Sequence, residues 1–262
     1  MLFLSAGVLG SISSSGQAQT DHDELGLRVE AVVIKVPNLS RAKDFYVGVL
    51  GFAGDTADER TFVISTNSYK IILEQTPEAA VYEVAGIGKV NIALQVNDLD
   101  SAYNRLKNSG VRFISEEPRK EGVGFAYKIL DPFGNHLSVI RLDGQNSIAA
   151  RQPWIYNCGL FVEDIGRETE LMTSLGFRAL TEKFLPMDNP LFYNDGQFAF
   201  VLHRNRPEYR HIENQNLSLV FKGNVGSSKK MIGRRKIVFT QRAGQIFFAN
   251  TSRCPLQIHP GR

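Results

Sequence analysis

Val90-Asn91-Ile92-Ala93-Leu94-Gln95-Val96-Asn97-Asp98-Leu99-Asp100-Ser101-Ala102, residues 90–102, is the stretch from which the rest of the chain can be read. Val90, Ile92, Leu94 and Val96 fall two apart, the period of a strand with one buried face. Asn97-Asp98 then breaks the run. It supplies an N-cap for a helix starting near Leu99, because a side-chain oxygen there accepts from the free amides of the first turn. Leu99, Ala102 and Leu106 share one face of that helix, and Arg105 and Lys107 the other. Asn108-Ser109-Gly110 ends it, since glycine adopts the left-handed C-cap conformation at little steric cost. Val111–Ile114, Phe125–Leu130 and His136–Leu142 read as strands, with Asp131-Pro132-Phe133-Gly134-Asn135 as a tight turn before the last. The unit is β-α-β-β-β.

The same strand-to-helix opening occurs four times. It starts at Ala31, Asn91, Asn157 and Asn216, at intervals of 60, 66 and 59 residues. A recurrence of that kind means repeated supersecondary units, none of which can bury its apolar face alone. The fourth copy is the weakest and has an extra residue before Asn224.

Three segments give the unit a family likeness: Asn91–Tyr103, Asn108–Phe113 and Asp131–Leu137. Together they resemble a module of the vicinal oxygen chelate superfamily, which includes glyoxalases, bleomycin-resistance proteins and extradiol dioxygenases. The resemblance implies an α+β fold of four βαβββ modules, paired two by two into curved mixed sheets or open barrels. Modules one and two are expected to form a domain over residues 28–145, and modules three and four a second over 153–262, joined by Ser147–Pro153.

In that superfamily His, Glu or Gln from the first and last strands of the modules hold a divalent metal across a cup. Here the first-strand position falls on Ala31, Asn91, Asn157 and Asn216. The last-strand position falls on Ser138 and Gln257, and near Glu74 and His203 in modules one and three. Alanine cannot ligate, and serine and neutral asparagine bind transition metals poorly. Glu74 and His203 are therefore the weak metal candidates, and no cofactor is expected. The alternative is a divalent Fe, Mn, Ni or Zn ion. Amides and hydroxyls in an apolar cup are good orienting groups for a small polar ligand. Asn91, Ser138, Asn157 and Gln257 are the binding candidates, with Phe125 and Tyr127 as aromatic walls. His22, His136, His211 and His259 are expected at the surface.

Composition narrows the field. Hydrophobic residues make up 43% and charged residues 22%, values of a folded globular chain. A net charge of +3 is too small to argue for nucleic acid. From Lys222 to Arg262 there is no Asp or Glu, while Lys229, Lys230, Arg234, Arg235 and Lys236 cluster. That cluster is read as a solvated helix face, since no aromatic platform or nucleic-acid motif accompanies it. Cys158 and Cys254 are too few for a disulfide framework, and the sequence leaves their pairing open. Residues 1–20 open with a short apolar run and small residues at Gly16 and Ala18. They are read as a signal peptide for periplasmic or secreted export, or as a disordered extension of a cytoplasmic protein. The run is too short to span a bilayer.

The expected function is a metal-poor small-molecule binder. Its rival is a metal-dependent lyase, isomerase or ring-cleaving dioxygenase. A third class is an interaction module using the basic final helix. The ligand and the oligomeric state are not legible.

Overall fold

The structure is a computed structural model. It describes residues 26–261 apart from 67–68, 83–86, 122–123, 145–153, 181–190, 195–196, 206–210, 213–215 and 251. The expected leader, His22 and the Ser147–Pro153 linker lie outside the described residues, as does the side chain of His211.

Four modules follow one another. Module one is β1 (Arg28–Val36), α1 (Leu39–Lys43) running into a π-helical turn (Asp44–Val49), β2 (Gly54–Asp58), β3 (Thr61–Ser65) and β4 (Lys70–Gln75). A short β5 (Ile87–Gly88) leads to module two: β6 (Val90–Gln95), α2 (Leu99–Asn108), β7 (Arg112–Phe113), β8 (Arg119–Glu121), β9 (Gly124–Leu130) and β10 (His136–Leu142). Module three is β11 (Trp154–Val162), α3 (Ile165–Ser174), β12 (Arg178–Leu180), β13 (Leu191–Asn194) and β14 (Gln197–Arg204). After β15 (His211–Ile212), module four is β16 (Leu217–Gly223), α4 (Val225–Arg234), β17 (Phe239–Arg242), β18 (Gln245–Ala249) and β19 (Pro255–Pro260). Each helix opens on the Asn or Asp that follows the first strand. Asn38, Asp98, Asp164 and Asn224 accept from first-turn amides at 2.8–3.0 Å.

The sheets correct the expected pairing. Among the described residues one sheet has the order β17-β18-β19-β16-β1-β4-β3-β2, joining module four to module one. The other has β12-β13-β14-β11-β6-β10-β9-β7, joining module three to module two. The seams are antiparallel pairs of first strands, β1 with β16 and β6 with β11, each with a bulge near its start. Modules adjacent in sequence meet across the core instead. Tyr46 Oη of module one donates to Asp131 of module two at 3.1 Å. Glu168 of module three accepts from the amide and hydroxyl of Ser252 in module four, at 3.0 and 3.2 Å. Each first strand gives one edge to the last strand of its own module and the other to another module's first strand, and a period-two pattern alone does not choose which; the cross-core contacts go with the pairing seen here.

One face of each sheet and the helices share a single core, with Val32, Ile34, Ile92, Leu94, Leu160 and Leu219 all within it. The opposite faces carry small separate apolar clusters, Ala31, Val33 and Val220 on one and Ala93, Ala126 and Ile140 on the other. These are the cup faces. Cys158 and Cys254 are buried free thiols. Burial pushes the Cys254 thiol up to about 12 and Cys158 higher still, so both stay protonated.

Candidate functional site

Strand register locates the repeat positions. In the seam of modules two and three, Asn91 faces Gly159 and Asn157 faces Ala93, which makes Asn91 and Asn157 equivalent. In the other seam Ala31 faces Val220 and Val33 faces Ser218, so the fourth equivalent is Ser218. Asn216 lies two residues away. It donates to Ala80 O at 2.8 Å and Asn135 Oδ1 at 3.4 Å, tying module four to the turn of module two. Ser138 pairs beside Ala93, Val201 beside Gly159, Ile72 beside Val33 and Gln257 beside Val220. The last-strand positions are therefore Ile72, Ser138, Val201 and Gln257. Glu74 and His203 lie one step further along, in different sheets, and cannot share an ion.

On the cup face of modules two and three the polar residues form a network. Asn91 Nδ2 donates to Ser138 Oγ at 3.1 Å, and Lys128 Nζ donates to the same oxygen at 2.9 Å. Lys128 also pairs with Glu121 at 3.3 Å, both side chains being about nine-tenths buried. Asn157 is buried, and its Oδ1 has no hydrogen-bond partner among the described residues. His203 lies over Gly159, where any Cβ would stand 2.7 Å from its ring carbon. It stacks on Phe161 with centroids 5.1 Å apart. His136, expected at the surface, is fully buried on the same face as Ser138, with its ring 6.3 Å from Phe161. Two residues apart in a strand means the same side, so the turn before His136 does not bring it to the surface.

The expected walls are elsewhere. Ser138 pairs with Lys128, so Tyr127 points the other way. It stacks on Tyr103 of α2 at 4.7 Å, inside the core, and Phe125 packs against that same core. Phe161 and His203 take the wall position instead. Lys128 and Glu121 were missed, although the hairpin around Asp131–Asn135 sets the Lys128–Ser138 pairing. That turn is held by Asp131, whose carboxylate accepts from Phe133 N, Asn135 N and Asn135 Nδ2 at 2.7–2.8 Å. Burial raises its pKa, against the pull of those hydrogen bonds.

The cup face of modules one and four is more apolar. Ile72 pairs with Val63, and Gln257 with Phe247, at the places equivalent to Ser138 with Lys128. Gln257 donates to Ser218 Oγ at 2.6 Å, and its Oε1 meets His259 Nε2 at 3.1 Å. His259 is thus half-buried beside Gln257 and not simply a surface residue; burial lowers its pKa, with Glu30 and Lys222 acting in opposite directions. A separate cleft of about 540 Å³ between Arg41, Phe45, Arg112 and Pro132 contains no repeat-position residue.

Residues 28–139, which span modules one and two, match the profile of the Glyoxalase/Bleomycin resistance protein/Dioxygenase superfamily. Solved structures extend that fold over the chain. Glyoxalase I from Zea mays superposes with a TM-score of 0.63 at 18% identity, covering 90% of this chain and 93% of that one. A single-substitution mutant of the maize enzyme gives 0.65 at 17%, covering 91% and 94%. A Bacillus subtilis subsp. subtilis str. 168 protein described as a candidate dioxygenase gives 0.61 at 16%, covering 89% and 84%. Compared by sequence with curated proteins, the chain matches none.

Superfamily members typically use a divalent metal, and the donor sets here do not fit one. Asn91, Asn157, Ser138 and Val201 offer neither imidazole nor carboxylate, and Ala31, Ser218, Ile72 and Gln257 offer only one amide and one hydroxyl. Among the described residues no three His, Cys, Asp or Glu side chains cluster to hold an ion. An ion at Ser138 would also face the Lys128 ammonium. At 4 Å and an effective dielectric near 20, unit charges repel by roughly 4 kcal/mol, and a dication doubles that.

Proposed function

We propose that this chain binds a small polar molecule on the cup face of modules two and three, without a tight catalytic metal. The single observation behind this is the buried Asn91–Ser138–Lys128 network facing Asn157 Oδ1, an acceptor still open to a partner. Buried polar groups are normally satisfied, and exceptions call for a reason; a ligand's hydrogen bond is one. Phe161 and His203 supply an aromatic wall beside these groups. The metal-dependent alternative, a lyase, isomerase or ring-cleaving dioxygenase, has the imidazoles of His203 and His136 near Phe161 but gains no carboxylate at the repeat positions.

The test is a thermal-shift screen of small polar compounds on the intact chain and on Ser138→Ala and Asn157→Leu. The reading expects hits whose stabilisation both variants lose. Turnover that a chelator abolishes would contradict it.

A further inference from the structure

A hydroxyl has two lone pairs and one proton. Ser138 Oγ accepts from Asn91 Nδ2 at 3.1 Å and from Lys128 Nζ at 2.9 Å, so both lone pairs are in use. What Ser138 can still give is its proton. Its own contact to Asn91 Oδ1 is 3.5 Å, long enough to yield to a better acceptor. An ammonium has protons only. This corner of the cup offers hydrogen-bond donors, and its lysine charge is already shared with Glu121 at 3.3 Å, so what it binds must accept protons and, to draw on the lysine, carry a negative charge of its own.

Asn157 has the opposite need, because its buried Oδ1 wants a donor. The two sites lie in one row, for Ser138 and Asn157 are the register partners of Ala93 on its two sides. Two strand steps of about 4.8 Å put their Cα atoms about 10 Å apart. One short molecule lying along that row can reach both side chains. The floor under that span is the methyl group of Ala93.

Resting on the reading that this face is the binding site, we propose that it selects a short hydroxycarboxylate. The carboxylate meets Lys128 and Ser138, the hydroxyl donates to Asn157 Oδ1, and the carbon chain crosses Ala93. Lys128 supplies the positive centre for that carboxylate. Glu121, 3.3 Å from Lys128 Nζ, is the internal carboxylate with which the ligand competes.

Isothermal titration of the intact chain with 3-hydroxybutyrate, butyrate and 3-hydroxybutyramide tests this. The hydroxy acid should bind about tenfold more tightly than butyrate, which lacks the hydroxyl, or the amide, which lacks the charge. Glu121→Gln should tighten the hydroxy acid several-fold by removing the competitor, an outcome that misfolding cannot imitate. Asn157→Leu should erase the preference for 3-hydroxybutyrate over butyrate. An amide that binds as well as the acid, or a Glu121→Gln chain that binds it no better, overturns the proposal and leaves the binding site standing. Silence from all three probes together with an empty thermal-shift screen overturns both.

Discussion

The two cup faces are built on the same four repeat positions and filled with opposite chemistry. Modules two and three place Asn91, Asn157 and Ser138 there, with Lys128 beside Ser138. Modules one and four place Ala31, Ile72, Ser218 and Gln257 there, with Val63 and Phe247 in the places of the lysine. Gly159 leaves room for His203 in the first; its equivalent in the second is Val220, and His259 turns instead to Gln257. The fold therefore tolerates either filling. What distinguishes the two faces is the Lys128–Glu121 pair, about nine-tenths buried and costly to keep, where the other face holds the more open Lys222–Glu30 pair.

The comparison breaks most sharply at Lys128. Lys128→Met removes the ammonium paired with the nearly buried Glu121 and should cost about 3–5 kcal/mol in urea unfolding, as breaking a buried pair does. Phe247→Met, its counterpart, should cost under about 1.5 kcal/mol, as volume-conserving apolar changes do. Gly159→Ala comes next. Its Cβ would meet the His203 ring at 2.7 Å, displacing the imidazole at about 1–3 kcal/mol and removing the wall of the polar cup. Val220→Ala should leave that cup's ligand response unchanged. A third test converts one filling into a metal site. Asn91→His, Asn157→His and Ser138→Glu together should bind Ni²⁺ weakly while Lys128 remains, and at least about tenfold better once Lys128→Gln is added; competition with a chromogenic chelator reads this.

The smallest effect belongs to the apolar cup. Burial lowers the His259 pKa, so the unfolded chain takes up the proton more readily than the folded one. Stability from this group is therefore full above the ordinary imidazole value of about 6.5 and declines as pH falls through the lowered folded value. Replacing His259 with Gln should flatten that slope, and the midpoint of urea unfolding at several pH values measures it.

The modules were legible because their evidence is local. Period-two strands, an Asn or Asp cap and the Asp131–Asn135 turn are each set by neighbours in sequence, and α2 begins and ends where its caps place it. The pairing of modules was not, because four first strands with the same apolar pattern fit one another equally well until Tyr46, Asp131, Glu168 and Ser252 meet across the core. Repeat position alone places Asn91, Ser138 and Asn157 on one cup face and Gln257 on the other. Tyr127 was misread through a one-residue parity error, and the same parity concealed Lys128, its neighbour. Module four misled by one more step: its shorter distance from first strand to cap moves the repeat position from Asn216 to Ser218.

The most direct test of a hydrogen-bonding cup in place of a metal centre is elemental analysis of untagged protein prepared without chelator. The expected result is well under one divalent ion per chain, unchanged in Asn91→Ala and Ser138→Ala. Near-stoichiometric Fe, Mn, Ni or Zn, lost from those two variants, would contradict it.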